Sequence, residues 1–155
     1  SLEVQFVKAV IAKGDKAEAT EVKNARECYD AMDSADKTAK INNDICQLEL
    51  TVAVAAFKAG FTWTKFADLA TTTVNYNTPS LENCTVKEVK AGDTNCVFTV
   101  DTSNHQVTYA AAADKNQSFT VTIQATSNTS LTKTITYTLV KTSAASTGVD
   151  KLEIK

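Results

Sequence analysis

The chain has 155 residues, 43% of them hydrophobic, and its 16 Lys and Arg against 18 Asp and Glu leave a net charge of -2. That is enough apolar content for one domain with a real core, while the mixing of both charge signs withdraws the electrostatic support that nucleic-acid or anionic-membrane binding needs. The longest apolar run, residues 50–57, falls far short of the roughly 20 residues that cross a bilayer, so no membrane segment is expected.

Residues 2–32 read as one long amphipathic helix. Val4, Val7, Ile11, Val22, Ala25, Tyr29 and Met32 keep a single phase, since the step from Val4 to Val22 is about 5 whole turns at roughly 3.6 residues per turn. Residues 14–18 carry no large apolar side chain, and a bend or break is expected at Gly14. No initiator Met or signal peptide is recognisable, and a helical pattern already running at Ser1 reads as a processed or trimmed start. A polar turn, residues 33–38, leads into a second helix over residues 38–59. Ile41, Ile45, Leu48, Val52 and Ala55 or Ala56 form its buried stripe, and Gly60 is its stop. The β-branched residues 50–54 also suit a strand. A short third helix is expected from Thr62 or Thr64 to Ala70, with Trp63, Phe66 and Leu69 facing a core. Together with Phe57 and Phe61 these aromatics read as core packing in preference to a ligand pocket.

From Thr71 the composition shifts to Thr, Ser, Asn and Val, and residues 77–80, with Pro79 as the only proline, form the clearest linker. It separates a helical part, 1–70, from a β part, 80–155. Strands are expected at 84–90, 95–101, 106–110, 118–126 and 131–141, with a sixth at 149–154 after the flexible link 143–148. Phe119, Val121, Ile123 and Ala125 alternate with Thr120, Thr122, Gln124 and Thr126, and Ile135, Tyr137 and Leu139 alternate with Thr134, Thr136 and Thr138. One apolar and one wet face is the signature of an antiparallel sheet covered on one side. Short turns at 91–94, 102–104 and 127–130 make a meander of these strands. The expected fold is a single α+β domain, 1–155, in which an N-terminal long helix and a helical hairpin pack on a C-terminal antiparallel β-meander. A small sandwich with the helices as a separate layer is the alternative.

Cys28, Cys46, Cys84 and Cys96 include no C-x-x-C pair, which suits two disulfides better than a zinc site, with buried free thiols as the other reading. Their placement, two in each half, favours Cys28 with Cys46 and Cys84 with Cys96, although three pairings are possible. Two bridges imply an extracytoplasmic location and about 2–4 kcal/mol each. The search for chemistry yields no catalytic set, cofactor or metal site. His105 is the only histidine and sits in a predicted turn. No phosphate-cradling or nucleophile-elbow motif occurs. Asp30 with Asp33 and Glu18 with Glu21 read as solvated helix faces, and residues 33–36 lack the Gly and terminal Glu of an EF-hand. Asn83, Asn116 and Asn128 begin N-x-[ST] sequons and are possible glycosylation sites.

A helix at the chain start, a polar connection, a one-sided meander and a late disulfide together resemble the soluble part of a type IV pilin or pseudopilin. The residues nearest that pattern are Ala17-Glu18-Ala19-Thr20-Glu21-Val22-Lys23-Asn24-Ala25-Arg26, which look like the C-terminal half of the family's long first helix. The apolar helical half that the family carries upstream, with its processing motif, is absent from this sequence. The resemblance implies a structural subunit of an extracellular filament. Such a subunit self-associates or contacts other pilin-like subunits, contributing to pilus assembly and surface adhesion. The competing expectation is a secreted or surface Ig-like recognition and adhesion module that binds a host or cell-surface ligand.

Overall fold

The computed structural model describes residues 1–63, 73–91, 99–108, 117–140 and 151–154. Within them lie three α-helices, α1 (Leu2–Lys13), α2 (Ala19–Ala31) and α3 (Ala39–Gly60), and eight strands. The strands are β1 (Thr62–Trp63), β2 (Thr73–Asn77), β3 (Cys84–Ala91), β4 (Thr99–Asp101), β5 (Gln106–Thr108), β6 (Gln117–Ala125), β7 (Thr132–Val140) and β8 (Lys151–Ile154). The fold is α+β.

The single N-terminal helix expected over residues 2–32 is instead two helices packed against each other. Ser1 Oγ accepts from the Val4 N–H and opens α1. Gly14 closes it with φ 57° and ψ -131°, a backbone state that costs a residue bearing a Cβ about 1–3 kcal/mol. After a 3₁₀ turn, Gly14–Lys16, α2 starts afresh, with Glu21 Oε1 accepting from the Glu18 N–H at 3.1 Å and Lys13 paired to Glu21 across the turn. A single apolar phase from Val4 to Met32 serves two facing stripes as well as one long stripe, so periodicity alone does not separate the two cases. In α3 the Thr38 hydroxyl accepts from the Ile41 N–H at 3.2 Å, and the β-branched stretch remains helical through Gly60, close to the predicted bounds.

Contacts divide the chain into two compact units. The first comprises Ser1–Ala56, Ser80–Thr85 and Ile123–Lys133. Its helical core is Val7, Val10, Val22, Ala25, Met32, Ile41, Ile45 and Leu48. The second comprises Phe57–Pro79, Val86–Thr122 and Thr134–Lys155. It holds a four-stranded sheet in the order β1-β2-β5-β4, with Trp63 opposite Tyr76 and Val107 opposite both Val74 and Val100. A second sheet runs β3-β6-β7-β8, and the Cys84–Thr85, Ile123–Ala125 and Thr132–Lys133 ends of its strands belong to the first unit.

The expected meander is therefore divided, because β4 and β5 leave β3 and pair beside β1 and β2. A start of the third helix at Thr62 is corrected, since Thr62 and Trp63 form a strand; the other expected span, 64–70, lies outside the described residues. Phe119, Val121, Ile123, Ala125, Ile135 and Tyr137 are all fully buried, as their alternation predicts. On the opposite face Thr126 and Thr134 are exposed as expected, whereas Thr120, Thr122, Gln124, Thr136 and Thr138 are half-buried. In the second unit Phe61 lies against rings from both sheets, with centroids 5.3 Å from Tyr76, 5.9 Å from Phe119 and 4.5 Å from Tyr137. Gly60 is held against Pro79, whose Cβ would stand 2.8 Å from any Cβ added there.

Burial holds the Tyr137 phenol well above its ordinary pKa, and its hydroxyl has no hydrogen-bond partner among the described residues. An unpaired buried hydroxyl costs free energy. Tyr137→Phe is expected to raise stability by about 1 kcal/mol, read as a higher urea midpoint with an unchanged m value. A lower midpoint would mean that the hydroxyl is satisfied.

Candidate functional site

The first unit contains a buried ion pair that the apolar stripes conceal. Arg26 follows Val22 by four residues on α2, and Glu49 follows Ile45 by four on α3, so each occupies an inward position. Both are nearly inaccessible, at 6% and 3% exposure. Arg26 Nε donates to Glu49 Oε2 at 3.1 Å and Nη2 donates to Oε1 at 2.6 Å, a two-point grip. Nη1 donates to Asn42 Oδ1 at 2.7 Å and to Ser127 Oγ at 3.3 Å, and Nη2 also lies 3.6 Å from Cys46 Sγ. The Tyr29 ring centroid is 5.4 Å from the guanidinium carbon, within cation–π range. Asn42, Cys46 and Glu49 recur at helical spacing on α3, forming one polar stripe.

That stripe fastens the turn between β6 and β7. Ser127 Oγ donates to Asn42 Oδ1 at 2.8 Å, and Asn128 Nδ2 donates to Asn43 Oδ1 at 2.9 Å. Asn128 Oδ1 in turn accepts from the Ser130 N–H and hydroxyl. Burial disfavours charge on both members of the ion pair. At Arg26 it is outweighed by the Glu49 carboxylate, which holds the guanidinium above its usual value. At Glu49 burial wins over Arg26, and the carboxyl sits above the ordinary range.

Beside the pair lies a cavity of about 370 Å³. Its walls are apolar and small, including Val22, Val52, Ala53, Ala56 and Leu81; Glu49 and Asn83 contribute the polar edge. At the rim Lys23 Nζ stands 3.5 Å from Glu82 Oε1 in an exposed pair. A second cavity, of about 270 Å³, belongs to the other unit and is lined by Tyr76, Lys87, Glu88 and His105 among others. There His105, with φ 52°, stacks on Tyr76 at 5.2 Å and 11°. Its carbonyl accepts from the Tyr76 N–H at 3.0 Å. Asp101 caps the same turn by accepting from the Ser103 and Asn104 N–H groups and the Asn104 amide, and these bonds, chiefly those of Asn104, hold its carboxyl below the usual range.

The cysteines depart from the expected pairing. Cys28, Cys46 and Cys84 are free thiols, and Cys96 lies outside the described residues. Arg26, not Cys28, faces α3. Cys28 is two residues further on, about 200° around the helix at roughly 3.6 residues per turn, and lines a shallow groove with Phe6 and Glu27. No Cys28–Cys46 bridge is present among the described residues.

Among the sequons, Asn83 is exposed at φ 58° and its carbonyl accepts from the Thr126 N–H at 2.9 Å. The Asn128 amide nitrogen is already committed to Asn43, and Asn116 lies outside the described residues. No group of three or more potential metal ligands occurs among the described residues. No described helix is long and apolar enough to cross a membrane.

Comparison with known protein families, with curated proteins and with solved structures finds no match for this chain.

Removing one member of the buried pair strands the other. Arg26→Met is expected to cost about 3–5 kcal/mol in chemical denaturation, while Arg26→Met with Glu49→Leu recovers most of that loss. Equal losses in the single and double variants would show that Glu49 does not depend on Arg26.

Proposed function

We propose that this chain is a non-catalytic recognition module, which takes an apolar group of its ligand into the cavity beside Glu49. The cavity carries the reading. Its volume of about 370 Å³ lies within the usual span for small-ligand sites, roughly 300–1,000 Å³, and its apolar walls with few polar groups match their usual make-up. Each Glu49 oxygen accepts one bond from Arg26, and a carboxylate oxygen has two acceptor positions. The carboxylate thus retains capacity for a donor on the ligand. A branched aliphatic side chain or small ring bearing an N–H or O–H suits that arrangement, with Lys23 and Glu82 selecting polar groups at the rim.

The filament-subunit reading has one observation in its favour. Leu2 is 80% and Phe6 41% exposed on α1, an apolar face available for self-association. Against it, residues 17–26, which carry the pilin resemblance, open a second helix where the family's first helix would continue.

The deciding experiment titrates the full chain with a library of small apolar amines and alcohols, followed by amide chemical shifts. Binding is expected to perturb Val22, Val52, Ala53 and Leu81. Ala56→Phe, which fills the cavity mouth from a half-buried position, is expected to weaken binding at least tenfold, about 1.4 kcal/mol, with an unchanged far-UV spectrum. Perturbations confined to Leu2 and Phe6, with concentration-dependent sedimentation, would overturn the cavity reading in favour of self-association.

A further inference from the structure

A column of aromatic rings ends at the cavity of about 270 Å³ in the second unit. Phe61 stacks on Tyr76 with centroids 5.3 Å apart and 23° between the planes, and Tyr76 stacks on His105 at 5.2 Å and 11°. Phe61 and Tyr76 are buried, at 5% and 3% exposure, whereas His105 is exposed. Near-parallel rings at these spacings are offset stacks of the kind that aromatic quadrupoles favour. The column therefore leads from the core to an imidazole that lines the cavity.

His105 is held in that place. Its φ of 52° is one that L residues seldom adopt. The backbone keeps it because the His105 carbonyl accepts from the Tyr76 N–H at 3.0 Å and Asp101 caps the turn through Ser103 and Asn104. Gly takes such a conformation at less cost, so the ring is present at a position where turn geometry alone does not require one.

The charges around the cavity are unevenly committed. Glu88 lines it, but its Oε1 lies 3.3 Å from Lys90 Nζ. Asp101, on the adjoining turn, is occupied by its bonds from Ser103 and Asn104. Lys87 also lines the cavity, is exposed, and has no ion-pair partner among the described residues. Val86 and Val89 add apolar wall.

We propose that this cavity binds a small aromatic carboxylate, whose ring extends the column by stacking on His105 and whose carboxylate pairs with Lys87. The volume lies a little under the usual span for small-ligand sites, roughly 300–1,000 Å³, which suits a single-ring ligand. An aliphatic acid lacks the stack and a neutral aromatic lacks the ion pair, so the site discriminates against both. The inference does not rest on the cavity beside Glu49.

The test titrates the full chain with sodium benzoate, followed by amide chemical shifts, and compares benzamide, which is neutral, and acetate, which has no ring. Benzoate is expected to give saturable shifts at Tyr76, Lys87, Val89 and His105, with benzamide and acetate weaker by about tenfold. Lys87→Gln, at an exposed position, is expected to lose about tenfold in benzoate affinity with little change for benzamide, while Lys87→Arg, which still pairs with a carboxylate, retains it. His105→Gly, which suits the positive φ and removes the ring, is expected to weaken benzoate binding with an unchanged far-UV spectrum. Equal affinity for benzoate and benzamide, shifts confined to Val22, Val52, Ala53 and Leu81, or no saturable shift at millimolar benzoate would each overturn the proposal; the unaltered chain alone decides these three outcomes.

Discussion

The ion pair between Arg26 and Glu49 is the constraint on which the first unit depends. Taking two charges out of water costs several kcal/mol per ion, and their attraction recovers that only in good geometry. The geometry here is good, with two bonds between the partners and the remaining guanidinium donor passed to Asn42 and Ser127. The net contribution to stability is small beside that of Ile45, Leu48, Val7 and their neighbours. What the pair specifies is arrangement. Apolar stripes tolerate rotation of one helix against another, whereas a planar fork and a carboxylate meet in one register only.

The same pair shapes the cavity. Small residues at Ala19, Ala53 and Ala56 leave space that larger side chains would fill, and Glu49 brings an acceptor to its edge. A polar atom in an apolar recess gives orientation to whatever enters, whereas apolar walls alone give only affinity. Cys46, on the adjoining turn of α3, lies 3.6 Å from Arg26 Nη2 within the same polar cluster.

The legible parts of this chain were those whose period was long and uninterrupted. The stripe from Ile41 to Val52 announces α3 despite its β-branched residues, and the alternation through Phe119, Val121, Ile123 and Ala125 announces β6 and its inward face. The break at Gly14 was legible in the sequence, but the hairpin it produces was not, because the five residues from Gly14 to Glu18 preserve the helical phase of one long stripe. β2, Thr73–Asn77, was hidden because the shift to Thr, Ser and Asn that starts at Thr71 runs directly into the linker at residues 77–80. The candidate site was less legible still. Arg26 and Glu49 sit four residues beyond Val22 and Ile45, a signal that charged residues had entered apolar stripes, yet helix faces with charges are common enough to be read as solvated. Cysteine pairing depends on which residue of α2 faces α3, and sequence spacing does not contain that angle.

Native-state hydrogen exchange on the full chain tests the central claim most directly. If the Arg26 network binds α2, α3 and the β6–β7 turn into one cooperative body, the amides of Ala25, Cys46, Ala125 and Leu131 open with a common free energy and a common denaturant dependence. Opening of Ala125 and Leu131 at markedly lower free energy than Ala25 and Cys46 would contradict it, leaving the ion pair as a local contact between two helices.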